Sequence, residues 1–159
     1  MRVLCLALVA VSLAAASGNK PNFSGVWRLD ASKSEFGKAP PPQALTSHIE
    51  HHDPELKVHT EITGPQGAYS TDYKWVTDGR ENVNTVRGNE IRATVVWNGQ
   101  TLISNAKTTV NGAALTIVDV WSLSGDGHTL TVSRTVQGPQ GSAEQKYVYE
   151  KNEESARTP

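Results

Sequence analysis

Between residues 23 and 151 the chain is a succession of ten short runs in which apolar and polar residues alternate, each ended by a turn signal. Period-two alternation marks a strand with one buried face, and turns roughly every ten residues leave no room for crossover helices. The runs cover residues 23–30, 45–52, 56–63, 69–77, 82–87, 91–97, 101–110, 113–123, 129–137 and 143–151. Asp78-Gly79, Gly88-Asn89, Asn98-Gly99 and Asn111-Gly112 mark hairpins, where such pairs supply the positive φ angles that tight turns require. Residues 32–37, ahead of Pro40-Pro41-Pro42, are expected to make a single helical turn, and no longer window carries a helical period. The expected fold is therefore all-β: one closed antiparallel up-and-down β-barrel of about ten strands, with no helical lid. The interior of such a barrel is one of the few places where a small all-β domain holds a ligand.

The residues before the first run read as a leader. Arg2 gives a positive start, residues 3–13 an apolar stretch, and Ala14-Ala15-Ala16 a small-residue cleavage site. The apolar stretch is too short to cross a bilayer, so no membrane insertion is expected. The resulting division is a signal peptide over 1–16, a barrel domain over 17–151 and a disordered polar tail over 152–159. The single cysteine, Cys5, falls in the leader, which leaves the barrel without a thiol, a disulfide or a thiolate metal site. An exported domain without disulfides fits a bacterial periplasmic or secreted protein. Net charge is −1 with the basic residues scattered, which argues against nucleic acid as a partner. The domain is expected to be a monomer.

Parity along the strands assigns an inward face. It carries Gly25, Trp27 and Leu29; Leu45, Ile49 and His51; Tyr69, Thr71, Tyr73 and Trp75; and later Gln145, Tyr147 and Tyr149. Two charged residues fall on the same face, Asp119 between Ile117 and Trp121 and Arg134 between Val132 and Val136. Extending the hairpin back from Gly125-Asp126-Gly127 sets Leu123 opposite Leu130, Trp121 opposite Val132 and Asp119 opposite Arg134. Unpaired buried charges are costly, so the two are expected to form a cross-strand ion pair beneath or beside Trp27. There Arg134 would stack on Trp27 and close the barrel floor, anchor a ligand, or do both. The candidate ligand-binding residues are Arg134, Asp119, Tyr147, Tyr149, Tyr73, Trp27 and His51.

His48 and His59, facing each other across the Asp53-Pro54 turn with Glu50 or Glu61 nearby, invite a shallow zinc or copper site. A solvated outer face with a Glu50–Lys57 surface pair is the preferred reading, and no metal or cofactor is assigned. Catalytic motifs are lacking: the chain has no Gly-x-Ser-x-Gly elbow, no His-Glu-x-x-His and no phosphate loop.

Phe23-x-Gly25-x-Trp27-Arg28-Leu29 resembles the opening strand of the fatty-acid-binding proteins, and its Gly-x-Trp core resembles that of the lipocalins. Val148-Tyr149-Glu150-Lys151 is similar to the closing strand of the former. These residues identify a resemblance to the calycin superfamily. The chain from Phe23 to Lys151 also resembles small exported bacterial lipocalin-like proteins. It shares with them a Trp-x-Leu-x-x-x-Lys-Ser run (Trp27 to Ser34) and an Asp-x-Trp-x-Leu-Ser-x-Asp-Gly run (Asp119 to Gly127). The resemblance implies a ten-stranded meander around a cavity.

Two departures matter. Fatty-acid-binding proteins cover the cavity with two helices between the first two strands, where this chain has about a dozen residues rich in proline. They also grip a carboxylate with Arg-x-Tyr on the last strand, where this chain has Tyr147-Val148-Tyr149; Arg134, one strand earlier, is the candidate replacement. The expected function is an exported lipocalin-like barrel binding a small apolar or amphipathic molecule. The alternatives are a small barrel enzyme of isomerase or lyase type using the Asp/Arg/Tyr cluster, and a barrel filled by its own side chains that acts through its surface. An interior void of several hundred cubic ångströms would set the last apart from the others.

Overall fold

The computed structural model describes residues 19–65 and 67–153. The expected leader over 1–16 lies outside the described residues, as does the tail beyond residue 153. The described residues form ten strands and no helix: β1 (Gly25–Leu29), β2 (Ala44–His52), β3 (Glu55–Gly64), β4 (Gly67–Val76), β5 (Glu81–Val86), β6 (Asn89–Asn98), β7 (Thr101–Val110), β8 (Ala113–Leu123), β9 (Thr129–Gly138) and β10 (Gly141–Lys151). Every pairing is antiparallel, and the order around the sheet is β4-β3-β2-β1-β10-β9-β8-β7-β6-β5. Strands adjacent in sequence pair with one another except β4 and β5, and β1 joins the two ends of the meander by pairing with both β2 and β10.

Two sequence expectations need correction. Residues 32–37 make turns rather than a helical turn. The chain loops out after Leu29 and returns to β10, where Glu35 and Lys146 exchange two backbone hydrogen bonds of 2.7 Å. The main-chain groups of this linker thus find partners on β10 instead of within a helix. The β5–β6 turn is built on Arg87-Gly88 rather than Gly88-Asn89. Arg87 takes φ 51° and Gly88 φ 80°, the positive pair that a two-residue hairpin of this hand requires. A non-glycine residue is strained there, and the Arg87 guanidinium rests 4.4 Å over the Tyr69 ring.

The barrel closes without a tenth backbone ladder, because none joins β4 to β5 among the described residues. Two side-chain amides span the gap instead. Asn82 accepts from the Val76 N–H (2.7 Å) and donates to the Val76 carbonyl (3.2 Å). Asn84 does the same to Lys74, at 2.8 and 3.2 Å. A carboxamide carries the same donor and acceptor as a peptide group, so each Asn substitutes for one residue of a missing ladder.

One end of the barrel is plugged. Phe23, His51 and Trp97 gather with ring centroids 5.6–5.8 Å apart. Trp27, fully buried, donates from Nε1 to the Phe23 carbonyl at 2.8 Å. The Phe23 N–H donates to His51 Nδ1 (3.2 Å), which puts the proton of the neutral ring on Nε2. That Nε2 is buried without a hydrogen-bond partner, 3.9 Å from Asp53 Oδ1. Asp53 accepts from Lys20, Thr77 and Trp97 at 2.7, 2.7 and 2.8 Å, tying the β2–β3 turn to the plug. Gly25 belongs to the same end. Its φ of 145° and the 2.8 Å that a Cβ would leave to Lys151 Cε explain the Gly-x-Trp spacing. The lysine stem passes over Gly25 and sets its ammonium 5.4 Å from the Trp27 ring.

Replacing Asn82 by Leu keeps the volume but strands the Val76 N–H. We expect a loss of about 1–3 kcal/mol in urea unfolding, with loss of hydrogen-exchange protection at Val76. Asn84→Leu, at a half-buried position whose two hydrogen bonds are open to solvent, should cost less than about 1 kcal/mol. An Asn82→Leu protein as stable as the parent would mean that the amides do not close the barrel.

Acid should loosen the plug. Burial lowers the His51 pKa below its ordinary 6.5, the effect of Asp53 opposing it only in part. The unfolded chain therefore takes up this proton first. The stability contributed is complete above pH 6.5 and is lost as pH falls through the folded value. Burial alone would raise Asp53, but hydrogen bonds from Lys20, Thr77 and Trp97 hold it down to about 2. Its contribution is lost between its ordinary 3.8 and about 2. It is on the order of 1 kcal/mol, discounted because a third of the carboxylate side chain is exposed. In His51→Gln, whose amide oxygen can still accept from Phe23, the fall of the thermal midpoint just below pH 6.5 should flatten. An unchanged profile would remove His51 as its source.

Candidate ligand-binding site

The inward faces leave a cavity of about 450 Å³. Its deep wall is apolar, with Trp75, Trp121, Leu130 and Val132, and its mouth is framed by Phe36, Pro40, Pro42, Pro65, Tyr69 and Arg87. The short β1–β2 linker reaches this mouth through the Glu35–Lys146 bridge. Gln145 Nε2 donates to the Phe36 carbonyl at 3.2 Å, and Phe36 stands edge-on to Tyr147 at 5.7 Å.

The polar cluster lies on the β8–β9–β10 wall. Asp119 pairs with Arg134 in the register expected from the hairpin. Arg134 donates to both carboxylate oxygens, Nε to Oδ1 at 2.7 Å and Nη2 to Oδ2 at 2.8 Å. Asp119 is 4% exposed as a residue. The Arg134 side chain keeps 35% of its surface accessible although it lines an interior wall, so the water that it meets is that of the cavity. Burial would lower the Arg134 pKa, but the charge and hydrogen bonds of Asp119 reverse the shift and hold the guanidinium charged.

Tyr147 lies 5.4 Å from the guanidinium, face-on to it, and donates its hydroxyl to Gln145 Oε1 at 3.0 Å. Tyr149 stacks beside it at 6.5 Å. Burial pushes the Tyr149 and Tyr73 hydroxyls up, so both stay protonated at neutral pH and present O–H groups, not phenolates. Ser47 and Thr60 share a hydroxyl–hydroxyl bond of 2.9 Å on the β2–β3 wall, and Ser104 stands opposite Asp119 on β7.

Arg134, Asp119, Tyr147, Tyr149 and Tyr73 thus line one cavity, whereas Trp27 and His51 do not. Both of these belong to the plug, Trp27 sealed under Lys151 and His51 against Phe23 and Trp97. The expectation that Arg134 stacks on Trp27 to close the floor is also corrected. Trp27 pairs with Lys151 and Arg134 with Gln145, six positions back along β10, or about 20 Å of strand. Parity gives the face of the sheet but not the height in the barrel. Sequence reasoning missed Gln145 as the residue that orients Tyr147, and Phe36 as part of the mouth. Gln145 was legible as an inward polar residue; Phe36 depended on the linker's return to β10, which leaves no mark in the pattern.

On the outer face His48 and His59 lie with ring centroids 6.1 Å apart, and Lys57 bonds Glu50 at 3.2 Å. His59 Nδ1 lies 2.8 Å from Asp72 Oδ1. No group of three side chains suited to a metal ion occurs among the described residues.

No protein-family model matches the chain, and neither does any curated protein. Solved structures do. Zebrafish ileal bile acid-binding protein complexed with cholic acid is 17% identical with a TM-score of 0.57, over 82% of this chain and 98% of that one. A secretory abundant heat soluble protein from Ramazzottius varieornatus is 19% identical with a TM-score of 0.58, over 81% and 94%. Schistosoma mansoni fatty acid binding protein in complex with arachidonic acid is 15% identical with a TM-score of 0.53, over 82% and 96%. At such identities the likeness is one of fold. The chain has the calycin-type barrel of the fatty-acid-binding proteins, the fold that its end motifs imply.

Arg134→Met would leave Asp119 buried and unpaired. We expect a loss of about 2–4 kcal/mol in urea unfolding, since cavity water relieves part of the penalty. The double change with Asp119→Leu should recover at least half of it. Additive losses would show that the two side chains do not act as a pair.

Proposed function

We propose that the chain is an exported barrel protein that takes up a small apolar or amphipathic molecule in its interior. The observation that carries this reading is the void itself. Its volume of about 450 Å³ falls within the ~300–1,000 Å³ typical of small-molecule sites, and its lining is mostly apolar with a few convergent polar groups. A barrel packed solid by its own aromatics, working through its surface, would not leave this space. Two structural neighbours were solved with cholic acid and arachidonic acid, both amphipathic, which supports a ligand of that general character. In this reading Arg134, Asp119, Tyr147, Tyr149 and Tyr73 meet the polar part of the ligand. Trp27 and His51 hold the floor. Export rests on the Arg2 start, the apolar stretch over 3–13 and the Ala14-Ala15-Ala16 site.

Native mass spectrometry of protein recovered from periplasm or medium should show a noncovalent adduct of lipid-like mass on a chain lacking its leader. Saturation with a bound lipophile, at about a hundred times its Kd, should stabilise the fold by about 2.7 kcal/mol. Ala106→Phe, which places a ring in the cavity, should abolish both effects at a cost of about 1–3 kcal/mol. A midpoint that no apolar or amphipathic probe moves would overturn the proposal.

A further inference from the structure

The charged groups of the cavity decide what head group it can take. Among the described residues they are Asp119, Arg134 and, at the mouth, Arg87. Arg87 is exposed and lies over Tyr69, so the interior itself holds one cation and one anion in direct bidentate contact. A guanidinium has five N–H groups. Asp119 takes the Nε and one Nη2 hydrogen, which leaves three, and those on Arg134 sit in the accessible part of the cavity wall. Three N–H groups and the Tyr149 hydroxyl can serve an uncharged oxygen without further charge balance. A carboxylate is a different matter. Its charge would arrive at a guanidinium already neutralised by Asp119, leaving two anions against one cation in a space from which the bound chain displaces water.

Resting on the ligand-binding reading above, we propose that the cavity selects amphipathic molecules with an uncharged, hydrogen-bond-accepting head, such as long-chain alcohols or esters, over the corresponding free acids. Asp119 is then the specificity-determining residue, because it fills the place on Arg134 that a ligand carboxylate would need. Tyr149 supports this selection. Its hydroxyl makes no hydrogen bond to another described residue, lies on the cavity wall near Arg134, and is kept protonated by burial. It can therefore donate to a neutral head as readily as accept from one.

The test compares palmityl alcohol, methyl palmitate and palmitate on the intact protein at neutral pH, read by displacement of an uncharged fluorescent lipophile. The parent should bind the alcohol and the ester at least about tenfold more tightly than the acid, a difference of about 1.4 kcal/mol. Asp119→Asn keeps the shape and frees the charge of Arg134, so the ratio of acid to alcohol affinity should rise by about tenfold or more. Arg92→Gln, at an exposed position on the outer face of β6, should leave the parent's ranking in place. Palmitate bound as tightly as the alcohol by the parent would overturn the selectivity while leaving the ligand reading intact. Acid binding lost in Arg87→Gln would instead put the head at the mouth and would also overturn it. Displacement by none of the three would sink the ligand reading and the selectivity together. The parent's ranking decides the matter even if Asp119→Asn does not fold.

Discussion

Closure of the barrel rests on β1. It is five residues long, yet among the described residues it is the only strand that pairs with both halves of the sheet, β2 on one side and β10 on the other. Without it the meander would be two open sheets, each with another exposed edge. Its hold comes from the indole of Trp27, which is fully buried, is hydrogen-bonded to the Phe23 carbonyl and lies under Lys151. Gly25 makes room for that lysine stem, and Phe23 brings His51 and Trp97 into the plug. The opening motif of the chain is thus a closure device. This is why Trp27, and His51 of β2 which Phe23 holds beside it, contribute to the floor and not to the cavity lining.

The opposite side of the ring is held differently. Between β4 and β5 the backbone ladder gives way to the amides of Asn82 and Asn84, so closure there depends on two side chains. The consequence is an uneven barrel. One seam is a continuous main-chain ladder anchored by a tryptophan, and the other can be cut by single substitutions. Local openings in a folded protein concentrate where few hydrogen bonds must break, which places the weaker seam at β4–β5.

The architecture was legible because turn residues and period-two alternation report local geometry directly. All ten strands, their order and the Asp119–Arg134 register follow from the positions of Asn-Gly, Asp-Gly and Gly-rich turns together with face parity. What escaped the pattern depends on contacts between elements distant in sequence. The return of Glu35 to Lys146 joins segments more than a hundred residues apart, and nothing in residues 32–37 announces it. Arg87 takes a turn position normally held by Asn or Gly and carries no turn signal. The height of Arg134 in the barrel depends on strand stagger, which parity does not encode. Of the seven candidate residues, five meet in one cavity for the reason given in the sequence, a shared inward face. The other two share that face at another level.

The ion pair is the feature that stability alone explains least well. A buried Arg–Asp pair is rarely more stabilising than two well-packed apolar side chains of the same volume, because desolvation offsets most of the attraction. The positions flanking it on β8 and β9, Ile117, Trp121, Val132 and Val136, are apolar, so the local pattern would accommodate a hydrophobic pair without change. The pair also sits midway along the cavity wall, away from the floor where a structural bridge would tie the plug. A charge so placed, held by two short hydrogen bonds and still open to the cavity on one side, breaks the local rule at the one place where a ligand would meet it. Such departures concentrate where function constrains the sequence more than folding does. The neutralising partner is as informative as the charge: a bare arginine would fit an anion, whereas a compensated one fits a dipole.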